Sequence, residues 1–225
     1  MFENLYDELK QSIRDGNYEK VKEIISIDKD LLNKVSALGS NLRMAARYNQ
    51  YEICKLLIEN GIDIDLVGGV SHDSAIVAAT FSGNFYIVRL LMQNGAKLDV
   101  SNTRNNPLFV AISGRNVEIA KYLIDAGIDI YATYKIGEIE NCDACEWAKK
   151  RGTKDVYDYL IEKETADAKL FEVTASTSFE SLCKIVKDTK DLYNAGERII
   201  CTAKDRRQLI EANAKGVSFK ILSSC

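Results

Sequence analysis

Proline is nearly absent from this chain, since Pro107 is the only one in 225 residues. This scarcity excludes proline-rich linkers and stalks, and it is typical of a mainly helical chain, because proline disrupts the interior of a helix. The sequence also lacks an apolar run of about 18 residues, so we expect no membrane span. Residues 1–10 are amphipathic and acidic, without the basic and apolar regions of a secretory signal.

A basic excess is missing as well: 30 Lys and Arg residues stand against 33 Asp and Glu, for a formal net charge of −3. Extended contact with nucleic acid normally requires a strong basic excess, so none is expected. The six cysteines lie at irregular positions, which is typical of reduced thiols in the cytosol and not of a disulfide framework. We therefore expect a cytoplasmic protein without nucleic-acid or membrane partners.

Patterns that carry catalysis or bind metals are scarce. His72 is the only histidine, and its chain neighbours Asp73 and Ser74 cannot form a triad with it because adjacent side chains point in different directions. Cys142 and Cys145 form one CxxC pair, but a zinc site needs two further ligands at suitable spacing. We interpret Cys145 as a small core hydrophobe. The sequence thus predicts no enzyme activity, no catalytic residue, no metal and no cofactor.

What the chain does contain is a repeat of about 33 residues. Segments that begin at Tyr51, Phe85 and Val117 align without a gap, and weaker copies at 18–30 and 154–162 bring the number of units to five. Each strong copy places a glycine after an apolar stripe, where a helix needs a left-handed cap. These glycines are Gly61, Gly95 and Gly127.

Each unit is predicted to form two short helices. In the second helix, apolar residues recur at the spacing i, i+3, i+4, as in Ile53, Leu56 and Leu57, which places them on one helical face. The first helix follows Ser or Asn, which are good N-caps, and Pro107 occupies a first helical position where its missing N–H costs nothing. Small residues in register predict close packing between neighbouring pairs: Ala45, Ala79, Ala111 and Ala148.

The pattern resembles the ankyrin repeat family over residues 1–163. Asn106 to Phe109 keeps the Pro-Leu step of the family's Thr-Pro-Leu-His motif, with Phe109 in place of the histidine. The resemblance implies a mainly α chain, with an ankyrin-repeat solenoid of about five helix-turn-helix units. It also implies that the chain binds another protein through its concave face and its hairpin fingers.

Carried over by position, the partner-binding surface would comprise the exposed side of the first helices and the fingers. The fingers would contribute Leu66, Val67, Val70, His72 and Asn105. The predicted contact residues, largely of types that dominate interface energy, are Arg43, Arg47, Val77, Phe81, Phe109, Arg104, Tyr131, Tyr134 and Ile136. The last three lie in a longer finger, and insertions of this kind are often at the binding face. The alternative is that Tyr131 and Ile139 pack into the neighbouring repeat.

The repeat ends after Lys163, and residues 164–225 are predicted to form a separate small α/β domain. Runs at 169–175, 199–202 and 217–221 favour strands, with helical patterns between them, so we expect a βαβαβ unit with a parallel sheet. Two degenerate repeats or a capping extension are the alternative. The charged positions Lys204, Arg206 and Arg207 are interpreted as a solvated helix face, with binding of an acidic partner or a phosphate as the alternative.

These features predict a non-enzymatic protein–protein interaction module. Stoichiometric inhibition of a toxin or defence factor is the specific role that the resemblance suggests. One alternative is a ligand or nucleotide sensor, with its site at the strand ends of the C-terminal sheet, near residues 175–178 and 203–207. Another is an adaptor in a larger complex. Self-association through the C-terminal domain is also left open.

Overall fold

The structure is a computed structural model, and it describes residues 5–166, 170–175, 179–186, 193–195, 198–212 and 217–221. The chain divides into two compact units, one of residues 1–132 with 150–153 and the other of residues 133–149 with 154–225. This division falls earlier in the chain than the predicted boundary between residues 163 and 164, which stays a prediction. The fifth repeat therefore lies mostly in the second unit.

The first unit contains four consecutive helix pairs, as the repeat predicts. Its helices are α1 (Leu5–Asp15), α2 (Tyr18–Ile27), α3 (Asn41–Arg47), α4 (Tyr51–Glu59), α5 (Ala75–Phe81), α6 (Phe85–Gln93), α7 (Pro107–Ser113) and α8 (Val117–Asp125). A short antiparallel hairpin, β1 (Val35–Ser36) and β2 (Gly39–Ser40), lies between α2 and α3. The prediction of a mainly α repeat fold is confirmed.

Local sequence explains where these helices begin and end. Ser40 Oγ accepts a hydrogen bond from Arg43 N at 3.2 Å, and Asn106 Oδ1 accepts one from Leu108 N at 2.9 Å, so both residues cap a first helix. Ser74 precedes α5 but makes no side-chain cap. After α4, Gly61 adopts a φ of +85°, the left-handed conformation that glycine takes without steric cost.

Side-chain amides in the turns connect the second, third and fourth helix pairs each to the pair before it. Gln50 Nε2 donates to Arg14 O at 3.4 Å, Asn84 Nδ2 to Ala46 O at 2.8 Å, and Asn116 Nδ2 to Thr80 O at 3.0 Å. Because each amide satisfies a carbonyl at or near the end of the preceding first helix, the same contact recurs from repeat to repeat. Apolar residues fill the space between pairs, among them Leu9, Leu42, Leu57, Ile76, Leu91 and Leu108.

The segments that join consecutive helix pairs are called fingers below. The first finger comprises residues 28–40, the second 60–74, the third 94–106 and the fourth 126–143. The fourth ends in the second unit with a two-stranded antiparallel sheet, β3 (Tyr134–Ile136) and β4 (Ile139–Cys142). This is the longer finger that the sequence predicts.

The second unit continues with the fifth helix pair and then with a sheet. Its further elements are α9 (Ala144–Arg151), α10 (Lys154–Ala166), β5 (Leu170–Ala175), α11 (Phe179–Ile185), β6 (Tyr193–Ala195), β7 (Arg198–Thr202), α12 (Ala203–Glu211) and β8 (Val217–Ile221). The strand order is β6-β7-β5-β8, and all three pairings are antiparallel. The parallel sheet predicted from the sequence is therefore wrong.

The sheet is antiparallel and not parallel because the chain contains one short hairpin that was not predicted. Tyr193–Ala195, where no strand was predicted, pairs with β7, with Tyr193 opposite Ile200. The connectivity is thus β-α-β-β-α-β, the ferredoxin-like arrangement, instead of βαβαβ. Apolar residues on the strands and helices are buried, among them Phe171, Val173, Leu182, Cys201, Leu209 and Val217.

Candidate partner-binding surface

Arg43 joins the first two fingers of the first unit. Its Nε donates to Asp73 Oδ1 at 2.5 Å, and its Nη2 donates to Asp73 Oδ2 at 3.2 Å and to Ser71 Oγ at 2.7 Å. Its Nη1 donates to Leu38 O, in the first finger, at 2.7 Å. The guanidinium therefore binds both fingers at once, and its side chain is only 14% exposed. Arg43, predicted as a partner contact, instead holds the fingers that would make the contacts.

The same contact sets the pKa of Asp73. Burial acts to raise the pKa of this carboxyl group, but the hydrogen bonds from Arg43 and Ser71 outweigh burial and hold the pKa below its ordinary value. Asp73 is thus ionised at neutral pH. The pair is then a charge-assisted, bidentate contact of the strong kind.

Glycines let the two fingers approach at the backbone. A side chain at Gly69 would place its Cβ 2.4 Å from Gly39 N, and one at Gly68 would come within 2.4 Å of Val35 Cγ1. Gly69 also has a φ of +72°. Val70 N donates to Ala37 O at 3.0 Å across this contact. The Gly68-Gly69 step is the point where the two fingers meet.

Four exposed aliphatic side chains lie on these joined fingers. Val35 is 39% exposed and Leu38 42% in the first finger, while Val67 is 50% and Val70 86% exposed in the second. We call these four residues the finger cluster. Val67 and Val70 belong to the partner-binding surface predicted from the sequence, whereas Val35 and Leu38 do not. The sequence signal for them was two aliphatic residues, Val35 and Leu38, close together in the short turn segment before Ser40.

Two other predicted residues are exposed on the first helices or in the turns after them. Phe81 is 65% exposed, and the guanidinium of Arg47 lies 4.7 Å from the centre of its ring. Arg47 Nη1 also donates to Ser82 Oγ at 2.7 Å. Arg104 is exposed in the third finger. These three residues are accessible for contact with a partner.

Three predicted contact residues are buried, which corrects the prediction. Val77, Phe109 and Tyr131 expose no more than 5% of their surface. Val77 and Phe109 occupy the first-helix position equivalent to Arg43, and apolar side chains at that position remain in the core. Tyr131 packs in the core, in agreement with the alternative prediction that it packs into the neighbouring repeat. None of the three offers a surface to a partner.

Tyr134 and Ile136 belong to the second unit, on β3 of the fourth finger. Both are half-buried, and Ile136 pairs with Ile139 across the short sheet. The predicted set of nine residues is therefore distributed over two compact units, and the finger cluster lies wholly in the first.

The second unit contains a buried group of four charged residues, Asp143, Glu164, Arg206 and Arg207. Arg207 Nη2 lies 2.7 Å from Asp143 Oδ2 and 2.6 Å from Glu164 Oε1, and Arg206 Nη1 lies 2.8 Å from Asp143 Oδ2. All four side chains are buried. Interpreting residues 204–207 as a solvated face is therefore wrong for Arg206 and Arg207, which bind carboxylates within the chain.

Asp143 has a second role at the start of α9. Its Oδ1 accepts a hydrogen bond from Glu146 N at 2.9 Å, so it caps the helix as Ser40 caps α3. Burial acts to raise the pKa of Asp143, but Arg207 and Arg206 outweigh burial and lower this pKa. The ionised carboxylate thus connects the fifth helix pair with α12 inside the second unit.

The cysteines Cys54, Cys142 and Cys145 are buried. Cys142 and Cys145 lie in the second unit, so the CxxC pair belongs to the core of that unit. Burial raises the pKa of Cys145, and it raises the pKa of Cys54 to about 12, which keeps these thiols protonated at neutral pH. Within the described ranges, no group of His, Cys, Asp and Glu side chains is arranged to hold a metal ion.

Comparison with known proteins supports the repeat assignment. The ankyrin repeats profile, in three copies, matches residues 9–102 and 42–134. Ankyrin repeat and SAM domain-containing protein 6 of Mus musculus is 34% identical over 86 residues, which are 38% of this chain and 10% of that protein. An ankyrin repeat protein of Rickettsia felis is 30% identical over 146 residues, which are 63% of this chain and 32% of that protein.

An ankyrin repeat protein of Acanthamoeba polyphaga mimivirus is 29% identical over 104 residues, which are 40% of this chain and 31% of that protein. The chain thus spans a third or less of the length of these relatives. Among the described residues, none of the helices is long and apolar enough to cross a membrane. With more than half of its length matched by the repeat profile and five helix pairs in the structure, the chain belongs to the ankyrin repeat family.

Proposed function

We propose that this chain is a protein-binding module whose principal contact surface is the finger cluster of Val35, Leu38, Val67 and Val70. Ankyrin repeats suggest a protein–protein interaction module, and the finger cluster supplies what such a surface needs. The four side chains are aliphatic and exposed, and the hydrogen bonds of Arg43 hold the two fingers in one arrangement. A preorganised apolar surface loses little conformational entropy on binding.

Arg47, Phe81 and Arg104 extend this proposed surface along the first unit. Arginine and aromatic residues are enriched among the residues that dominate interface energy, and these three are exposed. Residues Val77, Phe109 and Tyr131 are omitted because they are buried. Tyr134 and Ile136, on the second unit, remain proposed partner contacts on the basis of the sequence alone.

The finer role that we propose is stoichiometric binding in the cytoplasm that inhibits or tethers the partner, without catalysis by this chain. The family resemblance supports this role. The alternative of a ligand or nucleotide sensor at the C-terminal strand ends loses its main argument, because that site requires a parallel sheet. Residues 176–178, at one of those strand ends, lie outside the described residues, and Arg206 and Arg207 at the other bind carboxylates of the chain.

The proposal is tested by substituting the most exposed members of the finger cluster. The double variant Val67→Glu/Val70→Glu places two charges on the surface without touching the core. The matched control is Ile27→Glu, an equally apolar residue that is 64% exposed at the end of α2. Affinity purification from the native source, quantified by mass spectrometry, is expected to lose a specific protein with the finger variant and to retain it with the control.

Titration of that protein with the purified chain then measures the stoichiometry, which we expect to be one to one. Retention of the same set of proteins by the finger variant and the control would show that the finger cluster is not the contact surface. Melting temperatures of both variants are measured in parallel, so that a loss of binding is not mistaken for unfolding.

A further inference from the structure

The turns that join the two helices of each pair are positively charged, although the chain as a whole is slightly acidic. Within the first unit they comprise residues 14–17, 47–50, 81–84, 113–116 and 150–153. Asp15 is the one acidic residue in these segments of the sequence. The five basic residues in them, all exposed, are called the basic row: Arg14, Arg47, Arg115, Lys150 and Arg151.

Two arginines of the basic row lie over exposed aromatic rings. The guanidinium of Arg14 is 5.7 Å from the ring centre of Tyr48, and that of Arg47 is 4.7 Å from the ring centre of Phe81. A guanidinium over a ring keeps its charge, and the ring beside it adds an apolar contact for an incoming chain. Charge and apolar surface are thus combined at two neighbouring repeats.

Arg115 occupies a backbone position that favours glycine. The equivalent turn residues Gly16, Asn49, Gly83 and Gly152 all have positive φ, and Arg115 itself has a φ of +58°. The partial negative charge at a helix C-terminus accounts for cations such as Arg14 and Arg47. It does not account for a strained arginine two residues beyond α7. Backbone strain of this kind is concentrated at functional sites, so it points to a role for the Arg115 side chain.

From Arg14 to Arg115, the spacing of the basic row is set by the amide contacts between repeats. Gln50, Asn84 and Asn116 each donate to the preceding first helix from within these turns. Packed helices lie about 8–10 Å apart, and an extended chain advances about 3.3 Å per residue, so one repeat corresponds to about three residues of an extended peptide.

We propose that the basic row binds an acidic segment of a partner polypeptide, extended along the turns with carboxylates about three residues apart. Arginine matches carboxylate geometry in a bidentate manner, which makes such contacts specific. Glu19, Glu52 and Glu118 are the second residues of α2, α4 and α8, close to the row in sequence. Because these carboxylates repel an anionic chain, we expect the segment to lie on the first-helix side, and we expect a continuous phosphate backbone to be disfavoured more than spaced carboxylates.

The test measures binding of a fluorescein-labelled peptide of about 12 residues, a Gly-Ser-Glu repeat, to the full chain by fluorescence anisotropy at low ionic strength. Reversing three charges, in Arg14→Glu/Arg47→Glu/Arg115→Glu, is expected to weaken binding about tenfold. The matched control Lys22→Glu/Lys55→Glu/Arg89→Glu makes the same change of net charge at exposed positions on α2, α4 and α6. Its affinity is expected to remain close to that of the unmodified chain.

Arg115→Gly provides a second arm, because glycine suits the left-handed backbone at this position. This variant is expected to bind the peptide more weakly without a lower melting temperature. The finger variant Val67→Glu/Val70→Glu is expected to bind the peptide as the unmodified chain does, so this proposal and the proposed function fail separately.

Any one of four results would overturn the proposal, and the first three are as follows. The unmodified chain fails to bind the peptide, the control triple variant loses as much affinity as the basic-row variant, or a DNA duplex of similar length binds as tightly as the peptide. A peptide in which Gln replaces every Glu sets the baseline, and its binding with equal affinity would count against the proposal as well.

Discussion

At residue 69, the absence of a side chain decides whether the first two fingers can meet. A Cβ on Gly69 would lie 2.4 Å from Gly39 N, and the residue also has a φ of +72°. We predict that Gly69→Ala lowers the free energy of unfolding by about 3 kcal/mol. The backbone of the first finger must move away from the new Cβ, and the alanine must adopt a strained left-handed conformation. Urea denaturation followed by circular dichroism measures the change.

The matched control for this prediction is Gly61→Ala. Gly61 has a φ of +85°, but a Cβ there would meet nothing within 4 Å. Its substitution should therefore cost only the conformational penalty, about 1 kcal/mol. Equal losses in the two variants would show that the contact between the fingers contributes nothing.

The carboxylate of Asp73 gives a prediction about pH. Its pKa is lowered in the folded chain, because the hydrogen bonds from Arg43 and Ser71 outweigh the effect of burial. A lowered pKa contributes stability above the ordinary value near 3.8 that is lost as the pH falls below it. Asp73→Asn should therefore be less stable than the unmodified chain at pH 7, by about 1–3 kcal/mol. The difference should shrink towards pH 3 in urea denaturation at each pH, and a constant difference would contradict the assignment.

Residue exposure on the first helices is the part of the site that the sequence predicted least well. Phe81 is exposed, whereas Val77, one turn before it on α5, is buried. Helical periodicity identifies the stripe that faces the second helix of the same pair. It does not reveal which remaining side chains are covered by the neighbouring helices on either side, because that depends on packing between repeats. Arg43 shows the same limit, since its partners Leu38 and Asp73 lie in two different fingers.

Among the elements, α12 is connected to α9 and α10 by buried ion pairs. We predict that Arg207→Met lowers the free energy of unfolding by about 3–5 kcal/mol, because Asp143 and Glu164 would each lose a buried partner. Lys149→Met is the matched control, because Lys149 is exposed on α9. This substitution should lower the free energy of unfolding by less than about 0.5 kcal/mol. The double variant Arg207→Met/Glu164→Met should recover part of the loss, because it removes one of the unpaired charges. Failure to recover would indicate that packing, not charge, explains the single variant.

Strand positions in the second unit followed from composition, whereas strand direction did not. β5, β7 and β8 lie within or close to the β-favouring runs of the sequence. The antiparallel arrangement depends on the hairpin of β6 and β7, whose three-residue first strand carries too little pattern to be recognised. The buried arginines were also misassigned, because a run of charge in one sequence does not show its partners. The sequence did contain one signal for a buried carboxylate, because Asp143 stands at the N-cap position of its repeat.

On the scale of the whole chain, the two compact units do not coincide with the end of the repeat pattern. The fifth helix pair is predicted from the sequence as a repeat unit, yet most of it belongs to the same compact unit as the antiparallel sheet. In a repeat array each unit contacts only its neighbours, so stability is local and different regions open separately. The ion pairs from Asp143 to Arg206 and Arg207 account for this division, because they stabilise the fifth pair from within the second unit.

This division predicts two regions of stability that can be weakened one at a time. Arg207→Met should reduce amide hydrogen-exchange protection in α9, α10 and the sheet, and leave α3 to α6 unchanged, because it removes contacts within the second unit only. Gly69→Ala should show the reverse pattern, with protection lost around the first two fingers. Native-state exchange followed by mass spectrometry at peptide resolution measures both variants under the same conditions. If either substitution lowers protection evenly along the chain, the two units unfold together and the division has no energetic counterpart.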